Sequence, residues 1–314
     1  MKKQIWLDIN EINKIDWVKK YNNACKNWIK ETPDKISLEY SYFTLNEHKK
    51  FISEICKKIN VKLSGVGLEI GSGPGILSNS LVKIFDNIEN IYLLEMVPET
   101  FGLMKKIADY NGTSPKLSCI IGDFNRTKFQ NNSVDFVVGF DSIHHSENFD
   151  LTFKEISRIL KPNGILLCFD RGQPNYISNS QIEAMLDIEY SKKYKIENNM
   201  DINKKFTRRM NGEHEPLLKN WINTGNKYNF SCEVFIFHKK NLKNFIKACY
   251  GLFIPFWLKK IFKKGINITT HFQIILNYLY IKKWNNIKLF SLDYKPKYQR
   301  SPNGKMIFLF KKTQ

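Results

Sequence analysis

From Val61 onward the chain alternates two kinds of apolar pattern. Short runs, VGLEI (66–70), IYLLE (91–95), LSCII (117–121), VDFVVGF (134–140) and GILLCFD (164–170), are separated by ILSNSLVKIF, PETFGLMKKIADY and FDLTFKEISRIL. A brief apolar run between turn signals reads as a buried strand, and apolar residues three and four apart read as one face of a helix. Strand and helix in repeated alternation predict a parallel sheet wrapped by helices. Lys161-Pro162-Asn163-Gly164 reads as a sharp turn that ends a helix and launches a strand. Two later runs, SCEVFIFH (231–238) and KMIFLF (305–310), are expected to close the same sheet as a pair, with 239–300 inserted between them.

The flanks have other textures. Residues 1–60 read as a helical extension. Trp6, Trp17 and Trp28 are eleven apart, which is three helical turns, so they can share a packing face; Pro33 makes one continuous helix past that point unfavourable. Thr44-x-x-Glu47 predicts a capping box that opens a helix ending near Lys58. Residues 171–230 are less regular, with helical stretches expected around 180–198 and 215–223. The expected organisation is an extension over 1–60, a core over 61–238 and 301–314, and a basic apolar insertion over 239–300.

Charge sharpens this division. The net charge is +19 over 314 residues, yet residues 239–314 hold 17 Lys/Arg and one acid, Asp293, so that quarter alone carries +16. Such asymmetry suggests an anionic partner for the last quarter. The segment ACYGLFIPFWL (248–258) is apolar and flanked by Lys243, Lys247, Lys259, Lys260, Lys263 and Lys264, a pattern that suits an anionic membrane surface over 243–264, a buried helix with a basic rim or, equally, an oligomer contact. The six cysteines, at 25, 56, 119, 168, 232 and 249, have neither CxxC nor zinc-site spacing, and reduced thiols are expected. The start, MKKQIWLDINEINKIDW, lacks the apolar centre of a signal peptide. No run reaches the roughly 20 apolar residues of a membrane span, so a cytoplasmic protein, peripheral at most, is expected.

The chemistry gathers at LEIGSGPGILS (68–78). Gly71, Gly73 and Gly75 follow a strand directly and precede a helix. Glycine there permits unusual backbone angles and lets a ligand approach the main chain, at the sheet edge where doubly wound folds bind nucleotides. The spacing is ExGxGxG, not GxGxxG, and Glu69 beside it suits a ligand with positive charge better than a pyrophosphate. That disfavours a nicotinamide dehydrogenase. Glu95 ends the second run and can accept from two ribose hydroxyls. Asp123 and Phe124 follow the third, where a carboxylate can bond an adenine amino group and a ring can flank the base.

Over residues 62–172 the chain resembles the class I S-adenosylmethionine-dependent methyltransferases. The likeness rests on ExGxGxG at 69–75, YLLE at 92–95, GDF at 122–124, NSVDFVVGFDSIHH at 132–145 and LKPNGILL at 160–167. It is nearest to the subgroup acting on small molecules, lipids and sugars. The resemblance implies a doubly wound α/β fold, Rossmann-like, with a seven-stranded, mostly parallel sheet whose last strand is antiparallel. It implies S-adenosyl-L-methionine as cofactor: Gly71, Ser72, Gly73 and Gly75 shaping its loop, Glu69 and Asp141 facing the methionine end, Glu95 with Met96 at the ribose, and Asp123 with Phe124 at the adenine.

A sulfonium methyl is already activated, so such an enzyme chiefly aligns nucleophile, methyl and sulfur and excludes water. A hydroxyl acceptor also needs a base. His144 and His145 follow the fourth strand, and one of them, with His145 favoured, is the expected base; the bland alternative is a histidine that only bonds the loop or substrate. Arg171, Arg208, Arg209, Glu213 and His214 are expected on the acceptor side, the arginines suited to phosphate or carboxylate. No metal is expected, because His144, His145 and His214 lack recognised ligand spacing. The favoured function is O-methylation of a small or lipid-linked polar acceptor such as a surface-carbohydrate precursor. The alternatives are an RNA methyltransferase that uses the basic quarter, disfavoured because FDSIHH stands where an Asn/Asp-Pro-Pro-Tyr/Phe signature would, and a binding subunit without catalysis. Oligomeric state is left open.

Overall fold

In the computed structural model, the described residues are 1–15, 18, 34–173, 175, 177–197, 200–239, 287–292 and 306–313. Trp17, Trp28, Cys25, Cys249 and the 243–264 segment lie outside them.

Strands β1 (Lys2–Ile5), β2 (Gly65–Ile70), β3 (Ile88–Glu95), β4 (Leu117–Ile121), β5 (Val134–Phe140), β6 (Leu160–Asp170), β7 (Phe230–Lys239), β8 (Ile287–Leu292) and β9 (Met306–Lys312) form one sheet. Its order is β1-β4-β3-β2-β5-β6-β9-β7-β8. All neighbours are parallel except at β9, which runs antiparallel to both β6 and β7. The five Val61–Asp170 runs and the antiparallel closing pair stand as the apolar pattern predicts. The expectation of seven strands is corrected to nine among the described residues: the central seven are joined by β1 at one edge and β8 at the other.

Both additions come from segments read otherwise. Lys2–Ile5 is not helical; Ile5 pairs with Ile121 in register, and a wholly exposed KKQI carries no apolar helical face. Ile287–Leu292, inside the expected insertion, lies parallel to Val234–Lys239. The Thr44 capping box does not form either. Helix α2 already runs from Asp34 to Lys58, ending as expected, so Thr44 is interior. The turn at 161–164 is absorbed into β6 as an irregularity, with Asn163 at φ +64°.

Helices α1 (Ile9–Ile12), α3 (Ile76–Ile84), α4 (Thr100–Tyr110), α5 (Phe149–Ile159), α6 (Asn179–Leu186), α7 (Lys192–Glu197) and α8 (Leu218–Lys227) complete the fold. Strand periodicity splits the core into two layers. Leu167, Phe169, Ile307 and Leu309 pack with Phe51, Ile52 and Ile55 of α2 and Leu77 and Leu81 of α3. Their strand neighbours Leu166, Cys168, Phe308 and Phe310 pack on the opposite face with Phe153 and Ile156 of α5 and Trp221 of α8. Cys56, Cys119, Cys168 and Cys232 are free and buried, and burial pushes the thiols of Cys56, Cys119 and Cys232 up to about 12, so they are inert apolar filler. Among the described residues no helix is long and apolar enough to cross a membrane.

Candidate active site

The chain leaves β2 toward β3 and β4 on one side, then returns to β5 and β6 on the other. The carboxyl ends of β2 and β5 therefore flank the point where the winding reverses, and a crevice must open there.

The glycine loop sits at that point. Gly71, Gly73 and Gly75 all have positive φ, +60°, +51° and +76°, the left-handed region that side chains avoid. Their surroundings differ. A Cβ on Gly71 would come 2.6 Å from Ser142 Cβ, and one on Gly75 would come 2.4 Å from Leu93 Cδ2, whereas one on Gly73 meets nothing within 4 Å. Two glycines are thus needed for packing and the middle one faces open space. The loop is pinned to β3: Ser72 N donates to Leu94 O at 3.1 Å, and Gly73 N donates to Glu95 Oε2 at 2.8 Å.

Glu69 lies beneath this loop, 2% exposed. Gly75 caps α3 without a side chain. Glu69 supplies the missing acceptor, taking the Ser78 amide at 3.0 Å and the Ser78 hydroxyl. A carboxylate is favourable at a helix N-terminus, but burial dominates and pushes its pKa up to about 8. Glu95 accepts from Met96 N at 2.8 Å and Val97 N at 3.2 Å through its other oxygen. Burial raises its pKa against these three amides. Asp123 accepts from Asn125 N at 2.8 Å in a side-chain-closed turn, and Phe124 is partly buried against the α5 layer.

The far wall follows β5. Asp141 takes φ +56°, and a short 3-10 turn carries Ile143, His144 and His145. His144 is fully buried, and its Nδ1 lies 2.6 Å from Asp170 Oδ1. His145 Nδ1 donates to the Gly212 carbonyl at 3.0 Å. Burial, then the neighbouring His144, push the His145 pKa down to about 4. Because a carbonyl can only accept, the Nδ1 proton is fixed and Nε2 bears the lone pair. From α2, His48 packs on the Phe140 ring at 5.0 Å, which brings that helix to the same sheet edge.

The 208–215 loop covers this wall, tied by His214 N donating to His144 O at 2.9 Å. Its arginines are not presented to an anion. Arg171 meets Glu213 at 2.9 Å and Asp141 at 3.3 Å; Arg208 meets Glu213 at 2.7 Å and also holds Glu215. Burial raises the Glu213 pKa, but the two guanidiniums outweigh it and leave it at about 2. Arg209 points away, in exposed pairs with Glu183 and Asp187 of the α6 region. His214 lies at the surface, and partial desolvation by the neighbouring chain lowers its pKa. The arginines expected to bind phosphate are thus neutralised by carboxylates.

Asp141, His144 and Asp170 offer ligand atoms within 4.8 Å of one another. Arg171 occupies the first, and the His144–Asp170 bond occupies the other two. Three polar atoms remain buried without a protein partner among the described residues: Ser72 Oγ, Ser142 Oγ and His144 Nε2. All three border the glycine loop or the His turn, where buried polar atoms without partners point to a ligand or water. Sequence reading missed Asp170, Glu215, Ser78 and Ser142. Asp170 had a signal: GILLCFD ends in an acid, as the β2 and β3 runs end in or near one.

Residues 68–168 match a family model described as a methyltransferase domain. The chain is similar to a sterol 24-C-methyltransferase of Aspergillus fumigatus, 29% identical over 124 residues, which covers 40% of this chain and 32% of that protein. It is also similar to a demethylmenaquinone methyltransferase of Staphylococcus saprophyticus, 24% identical over 159 residues, which covers 49% of this chain and 66% of that protein. The chain thus spans about a third to two thirds of the curated relatives it matches. Among solved structures, a Galdieria sulphuraria protein assigned as a sarcosine dimethylglycine methyltransferase shares the fold, with a TM-score of 0.51, 19% identity and 86% of each chain covered. With the glycine loop and strand-end carboxylates set at the reversal point of the sheet, residues 68–168 are thus similar to a methyltransferase domain.

Proposed function

We propose that this protein transfers a methyl group from S-adenosylmethionine to a small, lipid-type acceptor, with His145 as the base that removes the acceptor's proton. The observation that carries the reading is the open space over Gly73, in a loop bordered by the unpartnered Ser72 and Ser142 hydroxyls. The donor set fits a nucleoside: Glu95 and Asp123 at successive strand ends accept hydroxyl and amino protons, and Phe124 flanks a base, while Asp141 on the far wall is paired with Arg171. Glu69 shapes the floor through Ser78 rather than standing in the crevice. When bound, the cofactor would supply an activated methyl on positively charged sulfur, the sulfur keeping the electron pair of the broken C–S bond.

His145 is held for its part. Its Nδ1 proton is committed to Gly212 and its low pKa keeps the ring neutral, so the Nε2 lone pair is available at neutral pH, as a weaker base than an ordinary histidine. Oxygen acquires the methyl as His145 takes the proton; where the deprotonated hydroxyl belongs to an enol, its conjugated carbon is the alternative nucleophile. A lipid-type acceptor is supported by the sterol and demethylmenaquinone methyltransferases among the relatives. Arg171 and Arg208 hold the acceptor-side loop closed through Glu213 and Glu215 rather than binding an anionic group directly.

The test is incubation of the purified chain with methyl-tritiated S-adenosylmethionine and either a lipid extract or total RNA. Label is expected in the organic phase, and His145→Ala is expected to reduce it about 100-fold, the usual weight of a general base. Label in RNA alone rejects the lipid acceptor. Calorimetry that detects no cofactor binding rejects methyl transfer altogether.

A further inference from the structure

The turn that carries both histidines is built on one carboxylate outside the set assigned above. Asp170 is the last residue of β6 and is fully buried. Its Oδ2 accepts from three successive amides, Ser142 at 3.3 Å, Ile143 at 2.9 Å and His144 at 3.3 Å. Its Oδ1 accepts from Arg171 N at 2.8 Å and from His144 Nδ1 at 2.6 Å. Five donors on one group compensate a charge that is otherwise expensive to bury.

Three consecutive amides can converge on one oxygen only if the backbone curls tightly around it, forming an anion-holding nest. Asp141 enters that curl in the left-handed region, and His145 N closes it on Ser142 O at 3.0 Å. The side-chain bond has a second consequence. With Nδ1–H given to Asp170, the lone pair of His144 sits on Nε2, an atom without a partner in a fully buried ring. That ring lies against His145, with centroids 4.2 Å apart. A rotated or re-protonated His144 would push directly on it.

We propose that Asp170 is a positioning residue: its carboxylate curls residues 142–145 and fixes the Nδ1–H tautomer of His144, which in turn backs the His145 ring. The consequence for turnover rests on His145 being the base, as proposed above; the tautomer and the curl do not.

Imidazole nitrogen-15 NMR of the wild-type protein reads the tautomer directly. The expected spectrum has a protonated Nδ1 on His144, with a strongly deshielded proton, and a bare Nε2. An Nε2–H tautomer on His144 overturns the proposal. Asp170→Asn, which keeps the shape and loses the charge, is expected to abolish that proton and shift the His145 nitrogens. It should leave the Kd for S-adenosylmethionine within about threefold and cut label incorporation into the lipid extract about 100-fold. A variant with wild-type imidazole signals also overturns it, and altered signals with undiminished incorporation, where His145→Ala is inactive, overturn the positioning role. If the variant does not fold, the wild-type spectrum decides alone. Full incorporation by His145→Ala would sink the base assignment and leave the tautomer result standing, so the two failures are distinguishable.

Discussion

Alanine at position 73 separates a ligand site from a merely strained loop. Gly73 has φ +51°, and an added Cβ meets nothing within 4 Å. In the empty protein the substitution therefore costs only the left-handed conformation, about 1–2 kcal/mol. For a chain of this size that lowers Tm by roughly 2–8 °C, at about 2–4 °C per kcal/mol. If the cofactor occupies that space, the methyl group adds an overpacking cost of about 1–3 kcal/mol to binding alone, roughly 5- to 150-fold in Kd. Gly71→Ala is the control of opposite character. Its φ of +60° carries the same strain, and its Cβ would strike Ser142 Cβ at 2.6 Å, so overpacking falls on the fold itself and the total loss is about 2–5 kcal/mol. The assay pairs thermal melts with calorimetric titration of S-adenosylmethionine. Gly73→Ala should melt slightly early and bind poorly, while Gly71→Ala should melt much earlier. A Gly73→Ala protein that binds the cofactor within twofold of wild type refutes the location of the site.

Further outcomes follow from the buried charges and the core. Glu69 holds its proton up to about pH 8 in the folded chain, against about 4.5 when unfolded. The native state therefore binds more protons between those values, and stability falls as pH rises through that window. Glu69→Gln should flatten the decline of Tm from pH 5 to 8.5, and an unchanged slope would count against the buried, protonated carboxyl. Arg171→Ala leaves Glu213 and Glu215 with Arg208 as their one cation among the described residues, and the loss of one partner from a buried ion cluster should cost about 3–5 kcal/mol in urea unfolding. A loss below 1 kcal/mol would mean that the cluster is solvated. Trp221 is fully buried, stacks on Phe308 at 4.2 Å and donates to Arg171 O at 3.1 Å. Trp221→Ala should destabilise by about 3–5 kcal/mol, and a melt within 2 °C of wild type would contradict that packing.

The sequence by itself determined the elements whose pattern is strong and local. The apolar runs from Val66 to Asp170 could only be strands buried on both faces, and the glycines after Ile70 required a backbone that side chains disfavour. The alternation in KMIFLF placed β9 in the sheet because its two faces, Ile307 with Leu309 and Phe308 with Phe310, each meet a core layer. Pattern failed where pairing supplied the stability: Lys2–Ile5 has no apolar face and is a strand only because β4 offers it an edge, and the helix over Thr44 began ten residues early. Only the tertiary structure decided the chemistry of the charges. Arg208 and Asp170 look like any arginine and any strand-end acid. One is neutralised because Glu213 and Glu215 fold onto it, and the other gathers three amides from a turn 26 to 28 residues away. Strand periodicity is a short-range property written into neighbouring residues, whereas the partner of a buried charge is set by which distant segments burial forces together.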